Sequence, residues 1–136
     1  MAWPPAATGR KAGTTCACWA GTAQTDQAQR CILAHYLADL EDDLAAEVAW
    51  DEQALTAFAN VHDADLAPVG IPAAAGLAPS LHLNLGDGYL RQCQLTQARD
   101  QLAAGPAALS ALPDSGYGAM IRRGLTGLQE RLANQP

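Results

Sequence analysis

The stretch LHLNLGDGYLRQCQLTQARDQL, residues 81 to 102, carries Gly86-Asp87-Gly88 in its middle. Taken alone, Gly-Asp-Gly is a turn or ligand-loop signal. Its surroundings point elsewhere. On a helix, His82, Leu85, Gly86, Tyr89 and Cys93 fall on one face, and a turn at the glycines would scatter that face. An EF-hand loop would need further carboxylates at alternating positions and a later Glu, which are absent. A phosphate-binding Walker loop would need Gly-Lys-Ser/Thr. The glycines are therefore read as places where another helix comes close, each costing about 1 kcal/mol of helix propensity against alanine.

The rest of the chain agrees with a helical reading. Its 136 residues are one domain's length, and 49% are hydrophobic, enough for a core. Alanine, the best helix former, is abundant. Aromatics are only 5%, and β-branched residues are too scattered for several strands. A net charge of -6 argues against nucleic acid and against an anionic membrane surface. No apolar run approaches the roughly 18 residues of a spanning helix, and no secretory signal is visible, so a cytoplasmic location is expected.

Residues 1 to 14, rich in Pro, Gly, Ala and Thr, are expected to form a flexible tail, with a single domain over 15 to 136. Around Trp19 a short helical turn should pack on the first full helix. That helix starts at Asp26, which with Gln29 fits a capping box; Thr25 is the competing cap. Leu33, Tyr36, Leu37, Leu40 and Leu44 form its apolar stripe. Asp39, Glu41, Asp42 and Asp43 crowd a junction, and carboxylates favour a new helix N-terminus there. In the second helix Ala46, Trp50, Ala54, Ala57, Phe58 and Val61 share one face. Leu44, Val48 and Leu55 make another, so this helix should be covered from more than one side. Residues 63 to 78 contain Pro68, Gly70, Pro72 and Gly76 and read as a long loop insertion. After a cap at Asp114 or Ser115, a last helix presents Tyr117, Met120, Ile121, Leu125, Leu128 and Leu132 on one face. Arg122, Arg123, Gln129 and Glu130 lie on the other.

Residues 79 to 112 resemble the tetratricopeptide repeat, a helix–turn–helix of about 34 residues. Leu85-Gly86 with Tyr89 matches the Leu-Gly-x-x-Tyr element of its first helix. Ala98 and Leu102 match the small and bulky positions of the second, and Cys93 stands where the inter-helix glycine often lies. Gly105-Pro106 departs from the pattern and should break the second helix. A weaker copy lies upstream, with Leu33-Ala34 and Leu37 in the first helix and Ala46 and Trp50 in the second. Ala46 and Ala98 are 52 residues apart, 18 more than one repeat, and the 63 to 78 loop accounts for the excess.

The resemblance implies an all-α, short helical-hairpin solenoid with a C-terminal capping helix. It also implies an adaptor that binds a protein or peptide, with no catalytic residues and no cofactor. In that family the face opposite the packing stripe looks into the binding groove; here it carries Ser80, Leu83, Asp87, Leu90 and Arg91, unless the capping helix or the 63 to 78 loop covers the two leucines. So short a stack could also self-associate as a homo-oligomer, or be a subunit that needs a partner for stability.

Other chemistry is weaker. His35 and Asp39, four residues apart, fit a surface ion pair better than a metal site, because no third ligand has matching spacing. Cys16 and Cys18 are the basis of the alternative function, a metal- or redox-responsive protein, together with Cys31 and one of His35, His62 or His82. The spacing is not that of a structural zinc site. The acidic run from Asp39 to Asp51 could meet a basic partner, but a solvated helix junction explains it more simply. There is no nucleophile elbow and no His-Glu-x-x-His.

Overall fold

The computed structural model describes residues 19–23, 26–67, 74–112 and 116–136. Among these the chain is all helical, with no strand. After a helical turn at residues 19–21, the described residues form α1 (Gln27–Leu40), α2 (Leu44–Phe58), the single turn α3 (Asp63–Leu66), α4 (Ala78–Arg91), α5 (Leu95–Ala104) and α6 (Gly116–Ala133). The proposed tail, Cys16, Cys18, Thr25, Asp114 and Ser115 lie outside the described residues.

The first hairpin is built from caps and alanines. Asp26 caps α1, its Oδ1 accepting from the Gln29 amide at 3.1 Å. Asp43 caps α2, its Oδ2 accepting from the Ala46 amide at 2.9 Å. Three residues of the acidic junction suffice to reverse the chain between the two helices. Ala34, Ala38, Ala46, Ala54 and Ala57 are buried between or beside them, so the backbones pack closely. Trp50, fully buried, fills the remaining volume and meets Trp19 edge-on at a centroid distance of 5.2 Å. The Arg30 guanidinium covers the Trp19 ring at 3.9 Å, which joins the short turn at residues 19–21 to α1 as expected.

The core line of α1 differs from the expected one. Ala28, Cys31, Ala34, Leu37 and Ala38 are buried, whereas Tyr36 is 62% exposed. Small residues win this face because α2 lies so near.

The described parts of the 63 to 78 segment are helical rather than plain loop. Besides α3, a 3-10 turn spans Ala74–Gly76, and the Ala74 amide donates to Asp63 Oδ1 at 2.7 Å, pinning the two ends together. Leu66 is fully buried and shares a core cluster with Ala74 and Leu81.

The second hairpin joins α4 to α5 through Gln92-Cys93-Gln94. The Cys93 amide donates to Leu90 and the Gln94 amide to the Tyr89 carbonyl, at 2.9 and 2.8 Å. Cys93 has φ 61°, the left-handed conformation that this closing motif requires and that glycine adopts most easily. Helix α5 stops at Ala104, and Gly105–Ala111 continues as a 3-10 segment, the break expected at Gly105-Pro106.

Helix α4 is the centre of the molecule and explains its own glycines. A Cβ on Gly88 would lie 2.7 Å from Val48 Cγ2 of α2. A Cβ on Gly86 would lie 2.8 Å from Leu128 Cδ2 of α6 and 3.3 Å from Gln101 Cβ of α5. Gly86 and Gly88 thus receive neighbours from different sides, and Asp87 between them points to a third. The relation to α6 is reciprocal. Leu128 fills the space over Gly86, while Leu83 of α4 fills the space over Gly124, whose Cβ would sit 2.5 Å from Leu83 Cδ2. Ile121, Leu125, Leu128 and Leu132 form the buried face of α6, spaced by four, three and four residues. Tyr117 and Met120, expected on that face, are 46% and 51% exposed.

Candidate functional site

Helix α6 decides which surfaces remain open. It crosses α4 over the face where the resemblance placed a ligand. Leu83 is packed beneath it at Gly124, and Leu90 packs on the cluster of Ala98, Leu128 and Leu132. Asp87 is tied to Arg131 of α6 at 2.7 Å and to Arg91 at 2.9 Å. Arg91 also meets Glu47 of α2 at 2.5 Å. Ser80 is buried, its hydroxyl donating to the Leu77 carbonyl at 3.0 Å. The five residues Ser80, Leu83, Asp87, Leu90 and Arg91 are therefore not gathered on one open groove. Two are under α6, two hold helices together through ion pairs, and Ser80 faces elsewhere.

Where Ser80 faces is an apolar cleft of about 300 Å³. Cys31, Ile32, His35 and Tyr36 of α1 form one wall. Leu77, Ser80 and Leu81, at the start of α4, form the other, and Tyr117 at the start of α6 closes one end. Tyr36 and Tyr117 are two of the large hydrophobic side chains left exposed among the described residues. Tyrosine suits such a rim, since its ring buries well and its hydroxyl stays wet. The sequence hid this role because both tyrosines fit helical apolar stripes. The available signal was the competing line of small residues, Ala28, Cys31, Ala34 and Ala38, which leaves Tyr36 off the core face.

Two groups give the cleft its polarity. Burial lowers the pKa of His35, against the opposing pull of Asp39, so the imidazole is neutral at pH 7. Its Nδ1 lies 3.5 Å from Asn84 Nδ2 of α4, which links the two walls. Cys31 is 1% exposed, and burial pushes its thiol up to about 12, so it serves as a small apolar side chain here.

A second concavity, beside Ala23, Asp26, Gln27, Asn60 and Asp65, is polar. Its carboxylates are already engaged, Asp26 as the cap of α1 and Asp65 accepting from the His62 amide at 3.0 Å. Among the described residues no three His, Cys, Asp or Glu side chains are placed to hold a metal ion, and no helix is long and apolar enough to cross a membrane. His82, a candidate ligand, instead donates from Nδ1 to Gln101 Oε1 of α5 at 2.7 Å.

The acidic run also separates into distinct roles. Asp43 caps α2, and Glu47 pairs with Arg91 of α4. Asp51 differs from all of these: it is 3% exposed, and neither carboxylate oxygen has a hydrogen-bond partner. Sequence reasoning placed it at a solvated junction. The overlooked signal is its register, since Leu44, Val48, Asp51 and Leu55 are spaced by four, three and four residues along the second apolar stripe of α2.

Comparison with protein-family models, with curated proteins and with solved structures finds no match.

Proposed function

We propose that the chain is a small tetratricopeptide-like adaptor, cytoplasmic, which binds a peptide segment of a partner protein in the cleft between α1, α4 and α6. The carrying observation is the cleft itself: an apolar lining of Ile32, Leu77 and Leu81 together with two exposed tyrosines and a neutral imidazole. An apolar centre ringed by aromatic and polar groups suits a peptide that inserts one or two large side chains. Two consecutive hairpins, a left-handed residue at the Cys93 position and Ala98 packed against Gly86 support the likeness to the repeat. In such repeats the first helix of each pair faces the ligand, and α1 and α4 are those helices here. An exposed free thiol at Cys93 fits a reducing compartment.

The test is selection from a displayed random-peptide library, followed by titration of the selected peptides against Tyr36→Ala and Tyr117→Ala. Both side chains are substantially exposed, so the variants should remain folded. Each should weaken binding by at least tenfold, as expected for aromatic anchors worth about 1.4 kcal/mol or more. Undiminished binding in the folded double variant would move the site away from the cleft. Light scattering of the free protein separates the homo-oligomer reading, in which a second copy fills the same surface.

A further inference from the structure

The two hairpins meet mainly where α2 lies along α4. Val48 reaches Gly88 at this joint, and Asp51 follows one turn later on the same stripe of α2. We propose that Asp51 is a proton-operated latch of this joint: protonated, it lets α2 close on α4; ionised, it loosens the two hairpins from each other.

A carboxylate 3% exposed, with neither oxygen hydrogen-bonded, is costly to keep charged. The groups around it add to that cost. Asp39 of α1, Glu47 on α2 itself and Asp87 of α4 all oppose its ionisation, and only Arg91 of α4 favours it. Arg91 is already engaged by Glu47 and Asp87. Burial first, then these carboxylates, pushes the Asp51 carboxyl up to about 8. With α2 and α4 apart, Asp51 would be hydrated and return to the ordinary value of about 4. The closed joint therefore holds a proton that the open joint releases. Closure is fully favoured below about pH 4, weakens as pH rises, and has lost the whole contribution once pH passes about 8. The pKa of His35, one of the titratable groups of α1, is lowered from 6.5 by burial, so His35 is already neutral over the upper part of this range. The Tyr89 phenol, bonded to Glu52 across the same joint, is raised above its usual value and stays protonated.

The experiment is amide hydrogen exchange of the full chain between pH 6 and 8, corrected for the intrinsic pH dependence of exchange, on the wild type and Asp51→Asn. In the wild type, protection of α2 and α4 should fall by up to about tenfold per pH unit, the slope of one released proton. In Asp51→Asn, which cannot ionise, that slope should vanish while α5 and α6 behave as in the wild type. Should the Asn variant fail to fold, Asp51→Leu, with no polar atom to satisfy, carries the same comparison. Equal slopes in variant and wild type would overturn the proposal. So would a loss of protection shared equally by α5 and α6, which would mark global unfolding rather than an opening joint.

Discussion

Single residues carry much of the specificity of this fold, and several do so against their own preferences. Cys93 holds a left-handed backbone that costs an L-residue about 1–2 kcal/mol relative to a right-handed one. It is exposed, so its side chain contributes little in return. Cys93→Gly should therefore raise the melting temperature by a few degrees, corresponding to roughly 0.5–1 kcal/mol, in a thermal unfolding scan. A lowered melting temperature would mean that the Cys93 thiol makes a contact of its own. The sequence offered Cys93 as a stand-in for the inter-helix glycine, and the turn geometry agrees with that substitution. Asp51 was not legible in the same way. Its charge fitted the acidic run, and only its register on the Val48 stripe, read without regard to residue type, would have placed it inside.

At the scale of elements, the glycines of α4 and α6 divide into those that receive a neighbour and those that do not. Gly86 lies against Leu128, Gln101 and the Ala98 carbonyl, whereas a Cβ on Gly127 of α6 would meet nothing within 4 Å. Gly86→Leu should then destabilise by about 1–3 kcal/mol through overpacking. Gly127→Ala should stabilise by up to about 1 kcal/mol through helix propensity alone. Denaturant midpoints of the two variants check both signs, and a stabilised Gly86→Leu would remove α4 from the centre of the molecule. Helix existence, the cap at Asp26, a helix start after the acidic junction and the break after Ala104 were all legible, because each is set by residues within one or two turns. Which side of α4 stays open was not. The periodic pattern names two faces of that helix but cannot say that α6 lies over Leu83 and Leu90. That outcome depends on Gly124, some forty residues further along, offering room for Leu83.

For the whole molecule, the consequence is a change in which apolar surface stays open. With α6 seated on α4, the ion pairs of Asp87 and Arg91 fasten α2, α4 and α6 together, and the unfilled apolar surface lies between α1 and the first turns of α4 and α6. The sequence placed the candidate groove on the side of α4 that α6 covers, whereas the open apolar cleft lies on the side toward α1. Tyr36 and Tyr117 looked like core residues, because a stripe drawn on one helix does not reveal which neighbouring helix covers it. The most direct test of the adaptor reading is nuclear magnetic resonance mapping of a library-selected peptide on the isotope-labelled protein. The largest shifts should fall on Ile32, His35, Tyr36, Leu81 and Tyr117. Shifts confined to the acidic junction at Asp39, Asp42 and Asp43, or to the outer face of α5, with the cleft unmoved, would contradict it.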